Sequence, residues 1–189
     1  MNKVLLVLVV IVIAVAGRLL YLSDETNDSA RETVPVITVM DILNATDLEA
    51  GIKQGVRDND DTTIDAWLKK AQDVAREAEL SEQDQAWLAS QQARDYVIFN
   101  AKRALFNEAF EARFVGLEGI EDLKAAYPEA KNLFAKADSL LKKRDKIIYS
   151  IATTLANGEA PTADEIEQAK AVWRERYKQV NPELLPDAS

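Results

Sequence analysis

The chain has 189 residues, 23 Lys and Arg against 32 Asp and Glu, a formal charge of −9, and neither Cys nor His. Without Cys there is no thiol catalysis, disulfide, thiolate metal site or lipobox, and without His no Ser-His-Asp machinery and no His-ligated zinc or haem. The acidic balance argues against nucleic-acid binding, whose phosphate contacts need a basic surface.

The first segment is the most informative. Met1, Asn2 and Lys3 lead into an unbroken apolar run over 4–16, and after Gly17 and Arg18 the run resumes through Leu22 before Ser23, Asp24 and Glu25. As a helix, 4–22 is about 28 Å long, close to a hydrocarbon core of about 30 Å. Arg18 is its only charge, near enough to the far end to snorkel to the headgroups. With the α-amino group and Lys3 ahead of the run, the positive-inside rule puts the N-terminus in the cytoplasm and the body outside, in the periplasm of a bacterium. A cleaved signal peptide is the rival reading, since Ala14, Val15 and Ala16 fit the Ala-x-Ala pattern. Cleavage there leaves a product starting Gly-Arg-Leu-Leu-Tyr-Leu, a greasy end for a soluble protein, so we favour a signal-anchor over 1–22.

Residues 23–35 are polar and aperiodic and read as a tether. The helical-bundle domain is expected over 36–181. Its start, 36–43, is ambiguous between strand and helical turn. Thr46 and Glu49 fit a capping box for a short helix to about 56, whose Gly51 and Gly55 permit close helix approach. The acidic loop Asp58-Asn59-Asp60-Asp61 tempts a calcium reading. An EF-hand counted from Asp58 needs Gly at its sixth position and Glu at its twelfth, where Thr63 and Lys69 stand, so the loop reads as a helix start.

Ile64, Trp67, Leu68, Ala71, Val74, Ala75 and Ala78 recur at helical spacing over 62–79. After a Ser81 cap, the pattern predicts one long central helix over 82–115 with two apolar stripes: Trp87, Ile98 and Leu105, and Leu88, Phe99, Phe106 and Phe110. Gly116 and Gly119 bracket its end. A helical turn follows over 120–126, and Pro128 suits the first position of the next helix. That helix carries Leu133, Phe134, Ala137, Leu140, Leu141, Ile148, Ile151, Ala152 and Leu155 on one face and stops at Asn157-Gly158. Thr162, Asp164 and Glu165 cap the last helix, whose apolar face holds Ile166, Ala169, Trp173, Tyr177 and Val180. Residues 182–189 are a short tail. The fold expected is all-α, an antiparallel bundle of about four main helices with one or two short ones.

Arg144 falls inside the apolar face of its helix. A buried guanidinium needs a partner, and Asp95, Glu108 and Glu111 of the central helix are within the chain's means. It is a candidate recognition arginine, with a structural ion pair as the competing account. Trp67, Trp87 and Trp173 are candidates to line an interhelical pocket, against ordinary core packing. The basic run 142–146 spreads around most of a helical circumference and reads as solvated surface rather than a headgroup-binding patch. Glu79, Glu108 and Glu111 lack the Ser and aromatic motif of helical wall-cleaving enzymes, so no catalytic, cofactor or metal residue is assigned. The expectation is a non-enzymatic accessory or scaffold module, held at the membrane by its first helix, that docks an envelope protein. The alternatives are a sensor bundle with an interhelical small-molecule pocket and, last, a carboxylate-only hydrolase.

Overall fold

The computed structural model describes residues 37–181. The expected anchor, tether and C-terminal tail lie outside the described residues. Within them the protein is all-helical, with no strand: α1 (Val39–Leu43), α2 (Thr46–Asp58), α3 (Asp61–Glu77), α4 (Glu82–Leu88), α5 (Gln91–Gly116), α6 (Glu121–Ala126), a 3-10 turn (Pro128–Ala130), α7 (Lys131–Leu155) and α8 (Ala163–Val180). No helix among the described residues is long and apolar enough to cross a membrane. Two compact units divide the chain: Pro35–Arg174 is one, and the end of α8 from Glu175 onward belongs to the other.

The helix starts follow local hydrogen-bonding chemistry, with two departures from expectation. Within the ambiguous segment, Val39–Leu43 is helical because Thr38 caps it in a reciprocal box with Asp41: the Asp41 N–H donates to Thr38 Oγ1 at 3.2 Å and the Thr38 N–H to Asp41 Oδ2 at 2.8 Å. The box expected at Thr46 does not form. Ala45 occupies the cap position of α2 with no side-chain bond, and Glu49 lies 3.5 Å from Lys53 one turn on. The acidic loop is a helix start: Asn59 turns left-handed at φ 53°, and Asp60 accepts the N–H groups of Thr62 and Thr63.

The second departure is larger. The single helix expected over 82–115 is broken at Ala89-Ser90, where the Ser90 hydroxyl donates to the Trp87 carbonyl at 2.6 Å and accepts the Ala93 N–H at 3.3 Å. One side chain thus ends α4 and starts α5. The break decouples Trp87 and Leu88 from the stripes downstream. The buried face of α5 is Ala93, Val97, Ala101, Leu105 and Phe106, whereas Phe99 is exposed.

Apolar side chains collect in two clusters along α5. The first joins α1, α2, α3 and α4 to its N-terminal half around Ile52, Leu68, Leu88 and Val97. The second joins its C-terminal half to α6, the 3-10 turn and the start of α7 around Phe106, Ile120 and Ala137, with Phe106 and Phe134 rings 5.4 Å apart. In the first, α2 and α3 approach closely through glycine. A Cβ on Gly51 would fall 2.0 Å from the Trp67 indole, and one on Gly55 2.7 Å from Ile64. The spacing of Gly51 and Gly55 therefore makes a notch for α3.

Candidate functional site

The four residues singled out by sequence do not converge. Trp67 lies in the Gly51 notch with Lys70 Nζ 3.8 Å above its ring. Trp87 packs on the same cluster and meets Tyr96 edge-on at 6.3 Å. Arg144 and Trp173 meet elsewhere, each against Phe114 at the end of α5, at 5.6 and 5.4 Å from its ring.

Arg144 is 5% exposed, as its place on the apolar face predicts, but its charge partner is its own neighbour: Asp145 Oδ1 lies 2.8 Å from both Nε and Nη2. Glu108 holds Lys53 and Arg57, and Asp95 accepts from Gln91. Nη1 points at the carbonyls of Phe114 (3.1 Å), Arg113 and Glu118 (both 3.4 Å). Those groups close the C-terminus of α5, where Leu117 is left-handed at φ 63°. Arg174 adds a bond to the Gly116 carbonyl at 3.4 Å. A helix C-terminus carries partial negative charge and carbonyls without intrahelical donors. Two guanidinium groups delivered there tie α7 and α8 to the end of α5. The arrangement is a structural junction, with the cation's donors already engaged.

The open site is at the other end of α5. A hollow of about 270 Å³ lies between α1, α2 and α5. Its floor is apolar and buried: Leu43, Leu48, Ile52, Val97 and Ala101. Its rim is polar, with Asn44, Glu49, Tyr96 and Asn100. Neither Asn44 nor Asn100 commits its carboxamide to another described residue, so each offers a donor and an acceptor side by side. Along the same α2–α5 seam, Lys53 bridges Glu49 and Glu108. The Glu108 contact holds the ammonium above its ordinary lysine value, against some loss of hydration. Sequence reading passed over this rim, because an Asn beside an apolar stripe looks like any solvated polar residue.

A second hollow, about 360 Å³, separates α3 from the α4–α5 junction. Its one guanidinium, Arg94, is held by Asp61 at 2.7 Å and Asp65 at 3.3 Å. That clamp neutralises the cation and ties α3 to α5.

The carboxyl groups with a resolved shift all move toward the ionised form. Asp41, Asp60 and Glu165 are pulled below ordinary values by hydrogen bonds from Thr38, Thr63 and Thr162, and Glu167 by Lys170. Burial pushes Glu129 up, but Lys102 at 2.6 Å and backbone N–H bonding bring it lower overall. A general acid at neutral pH needs the opposite displacement. Among the described residues, no group of three acidic side chains is placed to hold a metal ion. None of the protein-family models, curated proteins or solved structures compared with the chain matches it.

Proposed function

We propose that this protein is a membrane-anchored, extracytoplasmic accessory subunit whose helical-bundle body docks an envelope protein without catalysing a reaction. The apolar run over 4–22 supports the anchor, with the N-terminus inside and the body in the periplasm. The helices α3, α5, α7 and α8, of 17, 26, 25 and 18 residues, are the elements from which we infer such a body is built. The observation that carries the docking role is the hollow between α1, α2 and α5. An apolar floor flanked by two uncommitted carboxamides suits a polypeptide segment. Its side chain fills the floor, while Asn44 and Asn100 bond the N–H and C=O of its backbone.

The test is isolation of the full chain from native membranes in mild detergent, beside the variant Asn44→Leu/Asn100→Leu. The account expects a partner retained by the wild type and lost from the variant at equal expression. Equal recovery of the partner with both would move the interface elsewhere. A chain released by alkaline washing would remove the anchor. The size of the hollow, just under that of typical small-ligand sites, favours one second reading, a sensor pocket. Thermal stabilisation by a low-molecular-weight membrane extract, absent in the double variant, would select it.

A further inference from the structure

Helix α7 is a basic element in an acidic protein. Between Lys131 and Leu155 it carries five Lys and Arg144 but only two carboxylates, against a whole-chain charge of −9. Both carboxylates are engaged: Asp138 pairs with Lys124 of α6 at 2.7 Å, and Asp145 with the buried Arg144. Lys131, Lys136, Lys142, Lys143 and Lys146 are all exposed. None of the five makes an ion pair or hydrogen bond to another described residue. At ~100° per residue they lie within an arc of roughly 140°, opposite the buried Ala137, Ile148 and Ala152. Of the run 142–146, Arg144 turns inward and is neutralised by the exposed Asp145 beside it, so the unpaired charge left is that of Lys142, Lys143 and Lys146 on one side of the helix. What remains outside is a lysine stripe about 22 Å long, with Tyr149 56% exposed one turn beyond.

We propose that this stripe rests on the acidic phospholipid headgroups of the bilayer that anchors the chain. Unpaired ammonium groups on one straight helix match a flat sheet of phosphates, which demands charge but no directional fork. Tyr149 extends the same side with a ring that favours the headgroup level. Screening over about 8 Å lets the local lysines act despite the acidic charge elsewhere. A contact this weak needs high local concentration, which a tether supplies, so the inference rests on the anchored reading.

The absence of native Cys permits single-site labelling. An environment-sensitive fluorophore is placed on Ser139→Cys or Ser150→Cys, both on the stripe side, and on Ala66→Cys of α3 as control. The full chain is reconstituted in nanodiscs of phosphatidylcholine alone or with about 30% phosphatidylglycerol. Collisional quenching from water should fall roughly threefold at Ser139 and Ser150 in the acidic discs only, and not at Ala66. The protection should vanish in about 0.5 M salt and in Lys142→Gln/Lys143→Gln/Lys146→Gln. A chain seated in the discs but quenched equally in both lipids overturns the stripe while leaving the anchor intact. Protection gained only on adding an acidic envelope protein overturns it in favour of a protein partner. A chain that never enters the discs overturns the anchor, and the stripe contact with it.

Discussion

Replacing Gly51 by Ala sets two effects of opposite sign against each other. In an open helix the change stabilises by about 1 kcal/mol, because Gly loses more backbone freedom on folding. Here the added methyl would sit 2.0, 2.1 and 2.4 Å from three atoms of the Trp67 indole. Bringing a rigid ring to normal carbon contact requires a shift of about 1.5 Å or more. The Lys70 ammonium lies 3.8 Å over the Trp67 ring, and the neighbours Ile64, Leu68 and Ala71 are buried. Overpacking of this kind costs about 1–3 kcal/mol, and three simultaneous overlaps put the site in the upper half of that range. The net expectation is destabilisation by about 1–2 kcal/mol, read as a urea midpoint lowered by roughly 0.5–1 M. Gly119→Ala is the control, since a methyl there meets nothing within 4 Å; it should be neutral or slightly stabilising. Adding Trp67→Ala should reverse the sign of Gly51→Ala, the signature of a coupled pair. A Gly51→Ala variant more stable than the wild type would refute the notch between α2 and α3.

Further outcomes follow from the same structure. Arg144→Met should destabilise by about 2 kcal/mol, because carbonyls at the end of α5 lose a buried charged donor; urea titration within about 0.5 kcal/mol of wild type would show the junction to be idle. Ser90→Ala should cost about 1 kcal/mol, the usual loss for an N-cap, and a midpoint equal to or above the wild type's would mean that α4 and α5 prefer to fuse. The depressed carboxyls set the acid limb. Each has a folded value below its unfolded one, so its contribution is complete above ordinary carboxyl values near 4 and disappears as pH falls through the folded value. Asp60→Asn, which can still cap α3, should therefore lie below the wild type at neutral pH and converge with it in acid; curves that run parallel from about pH 7 to pH 2.5 would contradict the Thr63 contact.

The sequence carried the helices because their starts are written in adjacent residues. Asp60, Ser81 and Thr162 with Glu165 act at the helix starts where short-range hydrogen bonding predicts, whereas Pro128 opens the 3-10 turn ahead of α7 instead of α7 itself. It failed where two equivalent patterns competed. Thr38 with Asp41 and Thr46 with Glu49 both look like capping boxes, but Glu49 pairs one turn on with Lys53, which in turn reaches Glu108 across a seam invisible along the chain. Ser90 escaped notice because periodicity continues through it, while its backbone N–H and its hydroxyl both donate to the Trp87 carbonyl that closes α4. Arg144 showed its burial through its position among Leu140, Leu141 and Ile148. Its acceptors were illegible because backbone carbonyls at another helix's end leave no side-chain signature. The rim of the α1–α2–α5 hollow was hidden for a similar reason: Asn44 and Asn100 lie 56 residues apart, and only the packing of α2 on α5 brings them to one opening.

Docking through that hollow is tested most directly by photo-crosslinking in living cells. A benzophenone amino acid replaces Tyr96 on the rim and, separately, Ala66 on the outer side of α3. The account predicts one discrete adduct from position 96, recovered in the membrane fraction, absent from position 66 and abolished by Asn100→Leu. Indistinguishable patterns from the two positions, or an adduct at 96 that survives Asn100→Leu, would contradict it.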